Sequence, residues 1–239
     1  MTPEELFDVV GPRVAEHVDM LRTAIVKTAN EDLVALCAYG SAARGEYREG
    51  ESGLDLAIVL RMVPAPLLLE LGNPLHVARN GARVQSILLV ERELARTTDV
   101  FPLFYADIQR HHVTLWGKSP FGNLHIDRTH IRLRTEQELR ELQMRLRRAV
   151  IDTLGTKRLL AGVIMRKVKQ ARLPLHALLE LRGLSCSDQL PAVLERACEL
   201  YGVGCSTLRH SNEAPDQALG ALMQLFDRAI EDVDRLETT

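Results

Sequence analysis

Residues 39–60 constrain the fold of this chain more than any other part of its 239 residues. Gly40 and Ser41 follow a short apolar run, and a polar spacer with two glycines separates them from a second apolar run. Gly53 and Asp55 occupy alternate positions where the second run begins. Because alternate residues of a strand point to the same face of a sheet, we expect residues 53 and 55 to face the same way. The pattern therefore predicts two strands with a tight turn and an acid at their adjoining ends.

An acid placed in this way suits the transfer of a phosphoryl or nucleotidyl group. Such transfer depends on positioning and on charge stabilisation by metal ions, often two Mg²⁺ about 4 Å apart. Mg²⁺ prefers carboxylate and phosphate oxygens, so paired acids on one strand would hold it. The turn at Gly40 and Ser41 offers backbone N–H groups and a hydroxyl to a phosphate. The chain supplies Asp55 but has Gly53 where the paired acid would stand, so one metal ligand is missing.

The Gly-Ser pair, the spacer and the acid resemble the active-site motif of nucleotidyltransferases of the DNA polymerase beta superfamily. Among these, the chain is similar to bacterial enzymes of the aminoglycoside adenylyltransferase type. The resemblance implies an α/β nucleotidyltransferase-like domain, with a mixed sheet and helices, followed by an all-α helical bundle. It implies Mg²⁺, ATP or another nucleoside triphosphate, and Asp55 as catalytic residue and metal ligand. It also implies a nucleotide bound by four further residues: Gly40, Ser41, Arg44 and Ser52.

The resemblance also implies a third carboxylate, a glutamate that these enzymes carry on another strand. We match that strand to residues 99–108, which places Phe104 at the position of the glutamate. Asp107 lies three residues further on, and strand alternation would turn it to the opposite face. Of the three expected carboxylates only Asp55 is present, so whether the chain is an active enzyme stays open.

Several acids remain as possible replacements for the missing ligands, namely Glu49, Glu51 and Asp107. The two glutamates lie in a predicted loop, which fixes an acid less well than a strand does. Arg44 has two open interpretations, since it can contact a phosphate or be solvated beside the turn.

Apolar periodicity divides the chain into two parts. Strands are predicted at residues 33–39, 54–60 and 83–90, with one or two more within 103–116. Helices are predicted at 66–77 and 91–96, and from residue 136 onward four helices suit an antiparallel bundle. We therefore predict an α/β domain over residues 1–125 and a helical bundle over 126–239, joined near the turn-rich segment 117–122.

Charge and cysteine content narrow the classes of protein. The formal net charge is -2, so no overall basic excess points to nucleic acid. Residues 128–172 are the exception, with thirteen Lys or Arg against four Asp or Glu. The four cysteines have no metal-ligand spacing, which favours free thiols in a reducing compartment. We find no signal peptide and no apolar run of about 20 residues, which predicts a cytoplasmic protein with no membrane partner.

Three functions are compatible with these observations. The first is a nucleotidyltransferase-fold protein, catalytically impaired, that keeps nucleotide or phosphate binding or a regulatory role. The second is an active metal-dependent nucleotidyltransferase with displaced acids, acting on a small molecule or a protein hydroxyl. The third is an interaction module whose basic segment, residues 128–172, binds RNA or an acidic partner. We favour the first, because two of the three expected carboxylates are replaced, at Gly53 and Phe104.

Overall fold

The computed structural model describes residues 1–237 and divides the chain into two compact units. The first unit comprises Met1–Thr98 and Phe104–Ile126. The second comprises Asp99–Leu103 and the chain from Asp127 onward.

The first unit is built on a four-stranded mixed sheet, as predicted. Its strands are β1 (Leu33–Tyr39), β2 (Leu54–Leu60), β3 (Val84–Val90) and β4 (His112–Gly117), in the order β3-β2-β1-β4. β1 pairs antiparallel with β2 and β4, whereas β2 and β3 are parallel. Antiparallel strands need only a short connection, and a parallel pair needs a crossover. The motif at residues 39–60 therefore comprises the β1–β2 connection, residues 40–53, and β2 itself, and the β2–β3 crossover contains a long helix.

Six helices belong to this part of the chain, together with a 3₁₀ turn at Asn30–Asp32. They are α1 (Pro3–Val10), α2 (Pro12–Ala29), α3 (Gly40–Ala43), α4 (Ala65–Ala82), α5 (Glu91–Leu94) and α6 (Pro102–Arg110). α1 begins with a capping box in which Thr2 and Glu5 bond each other's backbone N–H groups. α4 extends beyond the predicted 66–77, because Gly72 and Pro74 lie inside the helix without ending it.

Each face of the sheet has its own core. On one face, the alternate β2 residues Leu54, Leu56 and Ile58 pack with apolar side chains of α1, α2 and α4. On the other face, Ala57 and Val59 pack with side chains of α5, α6 and the segment after β4. Burial of both faces explains why β2 is almost continuously apolar. It also places Asp55, which alternates with Leu54 and Leu56, on the same side of β2 as Ala57.

The predicted strand within residues 103–110 is wrong, because these residues form α6. Pro102 stands at the first helical position, where its missing N–H costs no hydrogen bond. Tyr105 and Ile108, three residues apart, are both buried against the sheet. The aromatic composition of this stretch favours a strand locally, but packing at helical spacing decides the outcome. The only strand in residues 103–116 is β4, at the end of that stretch.

The second unit is all-α, as predicted for the C-terminal part. Its helices are α7 (Arg128–Ile151), α8 (Lys157–Leu181), α9 (Leu190–Tyr201), α10 (Cys205–Arg209) and α11 (Pro215–Arg235). The short α10 was not predicted, and α8 continues through Pro174. A single apolar core joins these helices, with Leu139, Ile164, Leu178 and Phe226 almost completely buried.

Two further predictions concern the whole chain. Cys37, Cys186, Cys198 and Cys205 are free thiols, as expected. Within residues 1–237, no helix combines the length and the apolar character that crossing a membrane requires.

Candidate functional site

Asp55 and Gly40 are in direct contact at the end of the β1–β2 pair. Asp55 is the register partner of Tyr39, the last residue of β1, and Gly40 follows Tyr39. Gly40 has a φ of +75°, and a Cβ atom there would lie 2.5 Å from Oδ2 of Asp55. Any other residue would be strained and would also push the carboxylate away. The glycine of the motif is therefore required by the backbone and by the seating of Asp55.

Ser41, Arg44 and Glu46 belong to the turn that follows Gly40. Ser41 is half-buried at the start of α3, and its carbonyl accepts a hydrogen bond from the Glu46 N–H at 2.8 Å. The Arg44 side chain is only 8% exposed, so it does not extend into solvent. Its Nε donates to Glu46 at 3.0 Å, and its Nη1 donates to Oδ2 of Asp107 at 3.1 Å.

Asp107 therefore lies near the predicted site, contrary to the strand-based expectation. It is on α6, where residues 104 and 107 share a face because a helix brings residues three apart together. Its side chain is 12% exposed and forms the ion pair with Arg44. We call Tyr39, Arg44, Glu46, Asp55 and Asp107 the acid–arginine cluster.

Burial and charge shift the protonation of this cluster. Burial raises the pKa of Asp55 above its usual value, and the positive charge of Arg44 opposes this rise only in part. The pKa of the Tyr39 hydroxyl is raised by burial and then by the negative charges of Asp55 and Asp107. The cluster contains three carboxylates and one guanidinium, so Asp55 is stabilised by a proton or by another cation.

Gly53 and Gln85 flank Asp55 at the two places where further acids would complete a metal site. Gln85 is the second residue of β3 and the register partner of Asp55, so both point to one face. A Cβ atom on Gly53 would lie 3.6 Å from Nε2 of Gln85, but only 2.8 Å from the Arg83 carbonyl oxygen. That carbonyl also accepts the Leu54 N–H at 3.2 Å. An acid at position 53 therefore needs a shift of the backbone, whereas position 85 holds an amide in place of an acid.

Phe104 does not occupy a strand position, so its assignment as the site of the third carboxylate is wrong. Its ring packs edge-on against the Tyr39 ring, with centroids 5.7 Å apart, and also against Tyr105. It forms an aromatic wall beside the cluster. The strand residue beside Asp55 is Gln85. Its polar side chain near the start of the predicted 83–90 strand is the sequence signal that could have identified it as a site residue.

The remaining predicted residues lie in the turn before β2. The Ser52 hydroxyl accepts a hydrogen bond from the Arg48 N–H at 3.0 Å and so closes this turn. Glu49 and Glu51 are exposed. Over residues 1–237, no three or more His, Cys, Asp or Glu side chains are grouped so that they could hold a metal ion. Asp107 and Glu46 are bonded to Arg44, so the residues present do not fit the two-metal site that the motif implies.

Comparison with known proteins reveals a likeness of fold. One solved structure is a spectinomycin adenyltransferase AAD(9) from Enterococcus faecialis, determined with ATP and spectinomycin. It superposes with a TM-score of 0.54 at 10% sequence identity, over 92% of this chain and 99% of that chain. No family model matches the sequence, and no curated protein matches it either. The chain thus shares the fold of this adenyltransferase, a mixed α/β domain followed by helices.

Proposed function

We propose that this protein binds a nucleotide or another phosphate compound at the end of β1 and β2, and that its capacity for nucleotidyl transfer is impaired. The role that follows is binding or regulation. The main support for the proposal is the identity of the two residues that flank Asp55. Gly53 and Gln85 provide no carboxylate where the strands would present them.

The binding part of the proposal is supported by the turn at Gly40 and by the fold. The glycine directs the chain from β1 into α3 with a positive φ, the kind of turn in which successive N–H groups face an anion. Ser41 adds a hydroxyl next to it. The adenyltransferase with the same fold was determined with ATP, which makes ATP the first ligand to test.

The impairment follows from the charges of the acid–arginine cluster. Two-metal transfer needs carboxylates that bridge the ions, and Asp55 is the only one that a strand presents to this site. Glu46 and Asp107 neutralise Arg44 instead. Drawing both acids away from Arg44 would leave a guanidinium that is 8% exposed without a compensating charge, at a cost of about 3 kcal/mol or more. We therefore expect Mg²⁺ to be held weakly.

This cost weighs against the second function, an active enzyme with displaced acids, because one of its three candidate replacements, Asp107, is paired with Arg44. The other two, Glu49 and Glu51, are exposed in the turn before β2, which fixes an acid less well than a strand does. The third function, an interaction module for RNA or an acidic partner, is weakened by pairing within the basic segment. Several of its arginines form ion pairs with glutamates one helical turn away, and these are Arg132, Arg134, Arg140 and Arg145. Neither alternative has an observation that favours it over the first.

Equilibrium binding of ATP, ADP and GTP, measured by calorimetry with Mg²⁺ and then with EDTA, tests the proposal. We expect saturable ATP binding that Ser41→Ala weakens and that changes little when Mg²⁺ is removed. Ser206→Ala, an exposed-helix serine of the second unit, is the matched control and should bind as the wild type does. Absence of binding for all three nucleotides would refute the proposal. Loss of binding on adding EDTA would show a working metal site.

A further inference from the structure

We propose that the cleft between α4 and β3 is a second site, which binds the oxyanion group of a small molecule, either a phosphate monoester or a carboxylate. The cleft has a volume of about 450 Å³. Its lining comprises Gly72, Leu75, His76, Arg79, Val84, Gln85 and Ser86. The proposal goes beyond nucleotide binding, since it depends on Arg79 and Ser86, which are outside the nucleotide site; only Gln85 borders both.

The helical wall of the cleft carries positive charge that no acid offsets. Gly72, His76 and Arg79 recur every three or four residues, so they share one face of α4. Arg79 is exposed, and among residues 1–237 no acidic side chain pairs with it. The His76 ring is held in place by a hydrogen bond between its Nε2 and the Asn80 amide, at 2.8 Å. An unpaired guanidinium in a concave site is suited to a carboxylate or a phosphate.

The strand wall adds hydrogen-bond donors because β3 is an edge strand. The Arg83 carbonyl points to β2, where it accepts the Leu54 N–H. Backbone groups alternate along a strand, so the N–H groups of Val84 and Ser86, together with their carbonyl groups, point away from β2, toward the open edge. The Ser86 hydroxyl and the Gln85 amide lie in the same lining.

The two walls together define the ligand. The strand offers N–H and O–H donors beside its carbonyl acceptors, the helix offers the cation Arg79, and no carboxylate lines the cleft. A cation would meet the positive charge of Arg79 and no negative charge, whereas an oxyanion accepts from Arg79 and from the strand donors. The side chains that form this site, Arg79 and Ser86, are outside the acid–arginine cluster.

Titration of ¹⁵N-labelled protein with inorganic phosphate, glycerol phosphate and acetate, followed by NMR, tests the inference. Phosphate or acetate should shift the backbone amides of Val84 and Ser86 in a saturable way, and the tighter of the two identifies the ligand group. Arg79→Gln should weaken this binding at least tenfold and Ser86→Ala about threefold. Arg92→Gln, an exposed arginine of α5, is the matched control and should have no effect.

Equal affinities of the wild type and Arg79→Gln would overturn the inference, as would saturation without shifts at residues 84 and 86. Nucleotide binding is measured in the same variants. Arg79 has no role in the nucleotide site, so ATP affinity should be unchanged in Arg79→Gln. A failure of this inference can therefore be told apart from a failure of the proposed function.

Discussion

Replacing Gln85 with glutamate is the most informative single change, because the side chain is exposed and the two residues are nearly the same size. Gln85→Glu places a second carboxylate in register with Asp55. Neighbouring strands are about 4.8 Å apart, so the two charges would lie about 5 Å from each other. At that distance their repulsion is about 0.8 kcal/mol in water and about 3 kcal/mol at an effective dielectric constant of 20.

Because Gln85 is exposed, solvent screens the repulsion, and we expect a loss of stability near the lower value, about 1 kcal/mol. That corresponds to a fall of about 2–4 °C in the thermal midpoint of a domain of this size. A divalent ion that bridges the two acids reverses the effect. At a concentration a hundredfold above its Kd, bound metal stabilises by about 2.7 kcal/mol. The variant should therefore be less stable than the wild type without metal and more stable with it.

The assay is the thermal midpoint against Mg²⁺ and Mn²⁺ concentration, with and without ATP, for wild type, Gln85→Glu and Gln85→Glu with Gly53→Asp. Gln224→Glu, an exposed change of the same kind in the second unit, controls for charge alone. In the double variant, the third acid should add little to the rise in thermal midpoint on metal binding. The Cβ atom of residue 53 would lie 2.8 Å from the Arg83 carbonyl oxygen, so the backbone must shift to accept it. If wild type and Gln85→Glu respond equally to metal, Gln85 does not stand at a vacated ligand position, and the reasoning is refuted.

Three further predictions concern the acid–arginine cluster. Arg44→Met should destabilise the protein by about 3 kcal/mol at pH 7 in urea unfolding, since Asp107 stays largely buried and loses its ion pair with Arg44; a loss below 1 kcal/mol would contradict this. Gly40→Ala should cost at least about 1–2 kcal/mol for its positive φ, and less in an Asp55→Ala background, where the 2.5 Å contact is gone; additive effects would show that the contact is unimportant. The raised pKa of Asp55 means that the folded protein binds its proton more tightly than the unfolded chain does. Above the usual value of about 3.9, wild-type stability should thus fall relative to Asp55→Asn as pH rises, until Asp55 is fully ionised; a constant difference between pH 4 and 8 would contradict the shift.

The sequence predicted the parts of the fold that local patterns determine. The runs that became β1 and β2 are apolar along almost their whole length, and the glycine between them has a role in the backbone that no other residue fills. The mixed sheet and the helical bundle are as predicted.

The helical conformation of residues 102–110 decides which residues of this segment lie near the site. Local composition favoured a strand, whereas packing of Tyr105 and Ile108 on the sheet favours a helix. With the helix misassigned, Phe104 was placed at the third carboxylate and Asp107 on the wrong face. Contacts between distant parts of the chain also lay beyond sequence reasoning. The pair of Arg44 with Asp107 spans 63 residues, and the register of Gln85 with Asp55 depends on how β2 and β3 align.

We propose that the nucleotide site remains and that the transfer chemistry does not. The measurement that tests it most directly is AMP transfer and pyrophosphate release from ATP with Mg²⁺ or Mn²⁺, using spectinomycin and other small-molecule acceptors, at ATP concentrations that calorimetry shows to be saturating. We expect ATP to be bound, with no transfer above the rate measured without protein. Transfer that is rapid in the wild type and absent in Asp55→Asn would contradict this expectation, because Asp55 would then be working with displaced acids although Gly53 and Gln85 supply none.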